Sequence, residues 1–351
     1  MRPERTRAQG LALVLAVTVV ASTVFELLGL PSAALFGSLL GGIAHALTSP
    51  TDLRLPESSF RLGQALVGVV VGSTISVDAL AAMGDDILTI AIVTVGTILI
   101  SLIAGALLAL RREVSRVTGA FAMIAGGASG VVAIAHDLGA DDRVVTVVQY
   151  LRVLLVLVTM PLVTAVVFHP EHGAGALAET HTDLLTDLGF VALSLVLGVA
   201  IARLVPITTS ILLAPLAIAA VLSAGGWLGP VAVPVALQWL AYALIGVQVG
   251  LRFTRESVSA ITRMLPYVVV LIVGMIVATA LMGSLLALLT PVDGLTAYLA
   301  TTPGGLFAVL ATAADAGSDV TYVMAVQLAR LLVILAFTPL LAKALTRSAQ
   351  D

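Results

Sequence analysis

An internal repeat constrains the fold of this chain more than any other feature of its sequence. A block beginning GGASGVVAIAHDLGADD recurs 178 positions later as GGLFAVLATAADAGSDV, and the likeness continues to a proline in each copy. Aliphatic residues align easily by chance, but seven non-aliphatic columns and a proline do not, so we predict two homologous halves. The matched pairs are Gly126 and Gly127 with Gly304 and Gly305, Asp137 with Asp315, Gly139 with Gly317, Asp141 with Asp319, Gln149 with Gln327, Arg152 with Arg330, and Pro161 with Pro339.

The repeat extends towards the start of each half. The same offset pairs ALVGVVVG at 65–72 with ALIGVQVG at 243–250, and a small shift brings Pro31 near Pro206. The stretch HPEHGAGALAETHTD between the halves is polar, rich in Gly and Ala, and free of Lys and Arg, as expected of a linker outside a membrane. We predict a first half at 1–168, an extramembrane linker at 169–186 and a second half at 187–351.

The composition places both halves in a lipid bilayer. Hydrophobic residues make up 60% of the 351 positions and charged residues only 11%, with a mean hydropathy of +1.14. A soluble domain carries roughly 25% charged residues, so we predict an all-α integral membrane protein. The net charge of −3, without a basic stripe, argues against direct binding to nucleic acid. Because the chain has no Cys and its five His lack metal-ligand spacing, neither a metal nor a cofactor is expected.

Apolar segments define the predicted helices. The first segment follows the basic stretch MRPERTRAQG but is long enough to span, and its counterpart in the second half has no such leader. We therefore predict a first transmembrane helix in preference to a cleaved signal peptide. The segments are 11–29, 32–48, 60–80, 87–110, 118–138 and 144–168 in the first half, and 187–204, 207–226, 236–252, 264–290, 296–314 and 320–342 in the second.

The fifth segment of each half differs from the others. Each carries a Gly-Gly pair at its middle, and the second pair is preceded by Pro303. Pro lacks the N–H of a helix hydrogen bond, and Gly weakens a helix and allows unusual backbone angles. Each fifth segment is therefore either a crossing helix with an unwound centre or a re-entrant hairpin of two half-helices.

The positions of the basic residues favour one of these alternatives. Six crossings per half, twelve in total, would place the loop around Arg255 outside the cell, against the enrichment of Lys and Arg in cytoplasmic loops. Five crossings plus a re-entrant segment per half invert the second half and bring all five basic clusters inside. We predict these inverted repeats, an architecture found in secondary transporters. The clusters are Arg2/Arg5/Arg7, Arg54/Arg61, Arg111/Arg112/Arg116, Arg252/Arg255/Arg263 and Lys343/Arg347.

The polar residues of the repeat are candidates for a substrate or ion site. Half-helices that meet at the Gly-Gly pairs would expose amides and carbonyls to a ligand, although small residues also serve close helix packing. Asp137 and Asp315 are candidates for proton or sodium coupling. Asp141 and Asp319 fit helix N-caps better, because each follows a Gly that fits a helix C-cap.

Gln149 and Arg152, like Gln327 and Arg330, are three residues apart and so share one helix face. An Arg this deep in an apolar helix must face protein, where it either binds carbonyls freed by the broken segment or binds a substrate anion. Positions at which the halves differ are weaker candidates. Ser129 aligns with Phe307, and Gln248 with Val70.

The paired blocks resemble a duplicated membrane family known as AbrB, whose members are also called ammonia monooxygenase-like proteins. The likeness covers nearly the whole chain and both copies of the motif. The family's label implies regulation of gene expression, although nothing in this chain resembles a DNA-binding module or a copper site. Distant similarity links the family to cation:proton antiporters, bile-acid symporters and citrate/glutamate carriers. Carriers of the last kind have inverted five-helix halves with GG-containing re-entrant loops, which GGASG and GGLFA match only approximately.

These observations lead to a functional hypothesis with one main alternative. We expect a secondary transporter that moves a small solute, such as an organic anion, by alternating access coupled to H⁺ or Na⁺. The alternative is a membrane-embedded regulator or sensor that transports nothing. An enzyme is not expected, because no nucleophile and base occur at a recognisable spacing. The expected setting is a bacterial-type inner membrane with both termini cytoplasmic, and the candidate partners are the bilayer, the solute and a second copy in a homodimer.

Overall fold

The computed structural model describes residues 7–49, 53, 55–75, 84, 86–124, 140–169, 183–205, 209–253 and 264–347. Within these ranges the secondary structure is helical and contains no strand, which confirms the all-α prediction. The helices are α1 (Arg7–Leu27), α2 (Ala33–Thr48), α3 (Glu57–Ser73), α4 (Ile87–Leu108), α5 (Arg116–Met123), α6 (Asp142–Val163, continued as a π-helix over Thr164–Phe168), α7 (Leu184–Leu204), α8 (Ser210–Ala224), α9 (Val235–Gly250), α10 (Leu265–Leu289), α11 (Gly294–Thr301), α12 (Leu306–Asp315) and α13 (Val320–Arg347).

The helices begin at matching positions in the two halves. The starts of α1 and α2 recur 177 positions later as those of α7 and α8, and the starts of α3, α4, α5 and α6 recur 178 positions later as those of α9, α10, α11 and α13. Helix capping repeats as well. The Ser115 hydroxyl accepts the Thr118 N–H at the start of α5, and Asp293 accepts the Leu295 and Thr296 N–H groups at the start of α11. Equivalent local signals therefore start equivalent helices.

Several of these helices have the length and composition of membrane spans. They are Ala8–Leu27, Ile87–Leu108, Arg143–Phe168, Leu184–Leu204 and Leu265–Leu289. Most of the surface of these helices is apolar and turned away from the protein core, as expected where lipid takes the place of water. The protein is therefore a multi-pass membrane protein.

The chain divides into two compact units, and each unit draws on both halves. Unit 1 comprises Met1–Ala81, Met160–Arg255 and Phe307–Thr321, and unit 2 comprises Ala82–Thr159, Glu256–Leu306 and Tyr322–Asp351. Unit 1 thus holds α1, α2, α3, α7, α8, α9 and α12. Unit 2 holds α4, α5, α10 and α11 with most of α6 and α13.

Inside unit 1, helices from opposite halves pack through glycines. Helix α3 packs on α8 and α9 packs on α2, which is the same pairing with the halves exchanged. Gly68 and Gly72 of α3 contact the carbonyls of Leu212 and Leu216, while Gly246 and Gly250 of α9 contact the equivalent carbonyls of Leu35 and Leu39. The absence of side chains lets the backbones approach, as at helix interfaces in membranes generally.

Unit 2 shows the same exchange symmetry. Helix α4 packs on α5 and α10 packs on α11, while α4 and α10 pack on each other. A Cβ at Gly105 would lie 2.7 Å from the Gly119 carbonyl oxygen, and one at Gly283 would lie 2.9 Å from the Ala297 carbonyl oxygen. Each pair of positions is related by the offset of the repeat. The fifth segments are therefore held against the fourth helices in the same way in both halves.

We expect Gly246→Ala to destabilise the protein and Gly274→Ala to be tolerated. A Cβ at Gly246 would overlap the Ser38 hydroxyl and the Leu35 carbonyl, whereas nothing lies within 4 Å of a Cβ at Gly274. Overpacking costs roughly 1–3 kcal/mol, which exceeds the gain of up to about 1 kcal/mol in helix propensity. Thermal unfolding of both variants in detergent measures the difference. Equal unfolding temperatures would contradict the packing described for α2 and α9.

Candidate functional site

The fifth segment of the second half is interrupted at its Gly-Gly pair, as the sequence predicts. Helix α11 ends at Thr301 and α12 begins at Leu306. Pro303 lacks an N–H to continue the helix, and Gly304 and Gly305 have φ angles of 130° and 74°, which glycine alone adopts without strain. In the first half, α5 ends at Met123. The predicted candidates Gly126, Gly127, Ser129 and Asp137 lie outside the described residues.

Two side chains of α13 bind the carbonyls at the end of α11. The Gln327 amide donates to the Leu299 carbonyl (3.0 Å) and to the Thr302 carbonyl (3.1 Å). Arg330 donates from Nη1 to the same Thr302 carbonyl at 2.8 Å, and from Nη2 to Gln327 Oε1. Both side chains are buried. Together they replace the helix hydrogen bonds that the Pro303 and Gly-Gly interruption removes.

The first half repeats this arrangement around α5. The Gln149 amide donates to the Phe121 carbonyl at 2.8 Å, and Arg152 Nη1 donates to the Met123 carbonyl at 2.9 Å. The carbonyls at a helix C-terminus carry partial negative charge, so a guanidinium is well placed there. Arg152 and Arg330 therefore stabilise the ends of the half-helices, one of the two roles considered from the sequence. Binding of a substrate anion by either residue stays a prediction.

The two guanidiniums carry charge that the described part of unit 2 does not neutralise. Arg152 is 3% exposed and Arg330 is 6% exposed, and they are close enough to repel each other. The described carboxylates of unit 2 are exposed or half-exposed and lie near helix starts or in a loop, and they are Asp86, Glu113, Asp141 and Asp293. None of these four lies within salt-bridge distance of either Arg. An Arg at the centre of a membrane helix costs about 2.5–3.5 kcal/mol. Carbonyl contacts offset part of this cost, and a bound anion would offset more.

The two copies differ in how fully their hydrogen-bonding groups are used. Arg330 donates to both a carbonyl and Gln327 Oε1, whereas the described bond of Arg152 is the one to Met123. Gln149 Oε1 and the Nε atoms of both Arg residues are buried without a described hydrogen-bond partner. Among the described residues, the Gln-Arg pair of the first half therefore has two buried polar atoms without a hydrogen-bond partner, and the pair of the second half has one.

Asp315 belongs to unit 1, where three donors surround its carboxylate. Oδ2 accepts the Ser32 N–H at 2.8 Å and the Ser32 hydroxyl at 3.0 Å, and Oδ1 accepts the Tyr242 hydroxyl at 3.3 Å. Asp315 is the last residue of α12, where the helix dipole disfavours a negative charge. The three donors offset that repulsion, so the carboxylate is held at a position that helix preferences alone would not favour.

The remaining candidates lie apart from these clusters. Asp141 is exposed and accepts the Arg143 and Val144 N–H groups at the start of α6, which confirms the cap interpretation. Asp319 is also exposed and occupies the equivalent position before α13. Gln248 lies half-buried in α9 of unit 1, and its Oε1 is buried without a described partner.

Sequence reasoning missed Ser32 and Tyr242. Ser32 adopts the left-handed conformation with φ 55° and ψ 37° at the start of α2, a costly geometry for a residue with a side chain. Its N–H and hydroxyl both reach Asp315, so the carboxylate stabilises this strained turn. The pattern GLPS suggests a turn, but the partner lies 283 positions away.

Comparison with known proteins places the chain in a family. Residues 34–346 match the family described as "Transition state regulatory protein AbrB". The chain belongs to the AbrB family. A relative from Escherichia coli (strain K12) named "Putative regulator AbrB" is 32% identical over 321 residues, covering 90% of each chain. A relative from Bacillus subtilis (strain 168) named "Uncharacterized protein YhjN" is 24% identical over 360 aligned positions, covering 93% of this chain and 90% of that protein.

Proposed function

We propose that this AbrB-family protein is a secondary transporter that moves a small solute, with an organic anion as the expected class, by alternating access. The observation that carries the proposal is the broken fifth segment with its buried Gln and Arg residues. Non-helical backbone in a membrane must be buried in protein or line a cavity, and buried charge in a membrane protein generally marks a functional site. The interruption at Thr302–Gly305 has both features.

The division of the chain supports the same proposal. The two arms of the second fifth segment fall in different compact units, because α11 belongs to unit 2 and nearly all of α12 to unit 1. A chain built this way can change conformation at the interruption without breaking a continuous helix. Asp315, at the far end of α12, is the residue we assign to coupling by H⁺ or Na⁺. Its three donors suit a carboxylate that is charged in one state of the cycle and neutralised in another.

The proposed topology has two inverted halves, each with five crossings and one re-entrant segment, in a bacterial-type inner membrane with cytoplasmic termini. In each unit, a helix contact has an equivalent contact in which first-half and second-half helices are exchanged, as expected of repeats related by a two-fold axis. The distribution of Arg and Lys among the loops favours a two-fold axis in the membrane plane.

Single cysteines test this topology, since the native chain contains none. In Ala140→Cys, His172→Cys and Thr254→Cys, the inverted arrangement predicts that only position 172 reacts with an impermeant maleimide added to intact cells. Permeabilised cells should label all three. Twelve crossings predict the opposite pattern, with 140 and 254 labelled from outside and 172 protected, and that result would exclude the inverted halves.

Uptake into proteoliposomes tests the transport function. Radiolabelled mono- and dicarboxylates, with amines for comparison, are supplied with an imposed pH gradient, an imposed Na⁺ gradient or neither. We expect saturable uptake of at least one carboxylate that one of the gradients accelerates, and none in liposomes without protein. Absence of saturable uptake throughout this panel would count against a carrier.

A membrane-embedded regulator or sensor that transports nothing is the second candidate. It is supported by the name of the Escherichia coli relative, "Putative regulator AbrB". A sensor would bind its ligand without moving it. Saturable ligand binding by the purified protein, combined with no flux of the same ligand in proteoliposomes, would favour this candidate over the carrier.

A further inference from the structure

We propose that Arg152 holds the carboxylate group of the solute, whereas Arg330 serves to stabilise the broken segment. The inference rests on the proposed transport of an organic anion and assigns the anion to one of the two buried guanidiniums. It starts from the difference between two residues that the repeat makes formally equivalent.

Arg330 is occupied by the protein itself. Its Nη1 donates to the Thr302 carbonyl and its Nη2 to Gln327 Oε1. The remaining nitrogen of Arg330, Nε, is buried and has no described hydrogen-bond partner. A guanidinium binds a carboxylate most strongly through two parallel N–H groups, and the contacts of Arg330 already divide its donors between two acceptors.

Arg152 has an edge available instead. Its Nη1 donates to the Met123 carbonyl, which directs one side of the guanidinium towards the end of α5. The opposite edge, formed by Nε and Nη2, faces the interruption in the other half of the chain. A Cβ at Gly304 would lie 3.5 Å from Nε and 3.8 Å from Nη2. This Nε/Nη2 edge is the pair of donors that matches a planar carboxylate.

Gly304 keeps this edge clear. Any side chain at position 304 would lie against Nε and Nη2, and the φ of 130° disfavours every residue but glycine. Nε is buried and has no described acceptor, so Arg152, itself 3% exposed, presents an unused charged donor in a dry setting. An anion there would also relieve the repulsion between the two guanidiniums.

Gln149 adds a feature that fits an incomplete site. In the second half, the equivalent Gln327 turns its Oε1 to Arg330, whereas Gln149 Oε1 has no described partner. The acceptor that the second half supplies from within the chain is thus not supplied to Arg152. We infer that a carboxylate from the solute takes this place.

Binding of propionate, with propionamide as its neutral counterpart, tests the assignment in the purified full-length protein. Both probes are titrated at constant ionic strength with chloride as the balancing anion, and binding is followed by the rise in unfolding temperature. We expect propionate to stabilise the native protein and propionamide to have no effect. Arg152→Lys keeps the charge but loses the paired donors, so we expect propionate to bind about 10- to 100-fold more weakly.

Two further variants keep the test decisive. Arg143→Gln alters an exposed Arg on the same helix and should leave propionate binding unchanged. If Arg152→Lys does not fold, Gln149→Glu replaces it, because a carboxylate three residues from Arg152 supplies an internal counter-charge and should weaken propionate binding at least about tenfold.

Native affinity for propionate in Arg152→Lys, or in Gln149→Glu where that variant takes its place, would overturn the assignment whatever the flux measurements show. Equal stabilisation by propionate and propionamide would overturn it as well. Binding that depends on Arg152 without flux of any solute would support this site and contradict only the transport proposal.

Discussion

Asp315→Asn is expected to abolish gradient-driven accumulation of solute while leaving the protein folded. An asparagine has the shape of aspartate, and its amide oxygen can still accept the two Ser32 donors. Its NH₂ group can donate to the Tyr242 hydroxyl, which at present donates to Asp315. The substitution therefore removes the charge and the exchangeable proton but retains a hydrogen-bonded arrangement. We expect accumulation to fall by more than about tenfold and stability by roughly 1–2 kcal/mol, because the three hydrogen bonds to the carboxylate become neutral while its repulsion from the helix C-terminus is removed.

Comparison of accumulation with solute exchange in the same proteoliposomes measures this effect. Exchange of internal for external solute needs no net movement of a coupling ion, so it should persist in Asp315→Asn. Asp319→Asn is the matched control, since Asp319 is exposed at the nearby turn before α13. If Asp315→Asn accumulates solute as the native protein does, Asp315 only holds Ser32 in its strained turn and plays no part in coupling.

Arg330→Met is expected to cause the largest loss of stability among these variants. Methionine preserves much of the side-chain length but leaves the Thr302 carbonyl with Gln327 alone and leaves Gln327 Oε1 without its donor. Each buried acceptor left without a donor costs roughly 1–3 kcal/mol. The interruption between α11 and α12 then loses its main support, so we expect a large fall in unfolding temperature or failure to obtain monodisperse protein.

Arg330→Met is informative because removal of the buried charge and loss of the hydrogen bonds change stability in opposite directions. Met removes a buried positive charge that is itself costly in a membrane helix, so a charge without a structural role would give a protein as stable as the native one, or more stable. Arg330→Lys should have an intermediate effect, because it keeps the charge but has a single donor nitrogen where Arg330 uses two. Arg143→Met, at an exposed position, controls for loss of an Arg from the surface. Native stability of Arg330→Met would refute the stabilising role of this guanidinium.

The repeat makes much of the fold predictable from the sequence. The two copies of the motif show that Gly68 and Gly72 are equivalent to Gly246 and Gly250. In the structure the first pair is where α3 contacts α8, and the second pair is where α9 contacts α2. The interruption at Gly304 is predictable because Pro and Gly weaken a helix locally, whatever surrounds it. The shared helix face of Gln327 and Arg330 follows from their spacing alone.

Other features depend on contacts that a linear pattern does not encode. The division into two compact units combines helices from both halves, and packing between helices far apart in sequence decides it. Ser32 and Tyr242 lie far from Asp315 in the chain and look like ordinary turn and helix residues until the fold brings them together. The different bonding of Arg152 and Arg330 is equally hidden, since the sequence presents both as the same Gln-x-x-Arg motif.

Accessibility of a single cysteine at the interruption tests the central claim most directly. Leu306 is half-buried and follows Gly305 at the start of α12, and the native chain contains no cysteine. If the protein alternates access, Leu306→Cys should react with an impermeant maleimide added to either face of oriented vesicles, and an imposed pH or Na⁺ gradient should raise the rate on one face while lowering it on the other. Reaction from one face only, under every gradient, would contradict the account and favour a sensor with a fixed site.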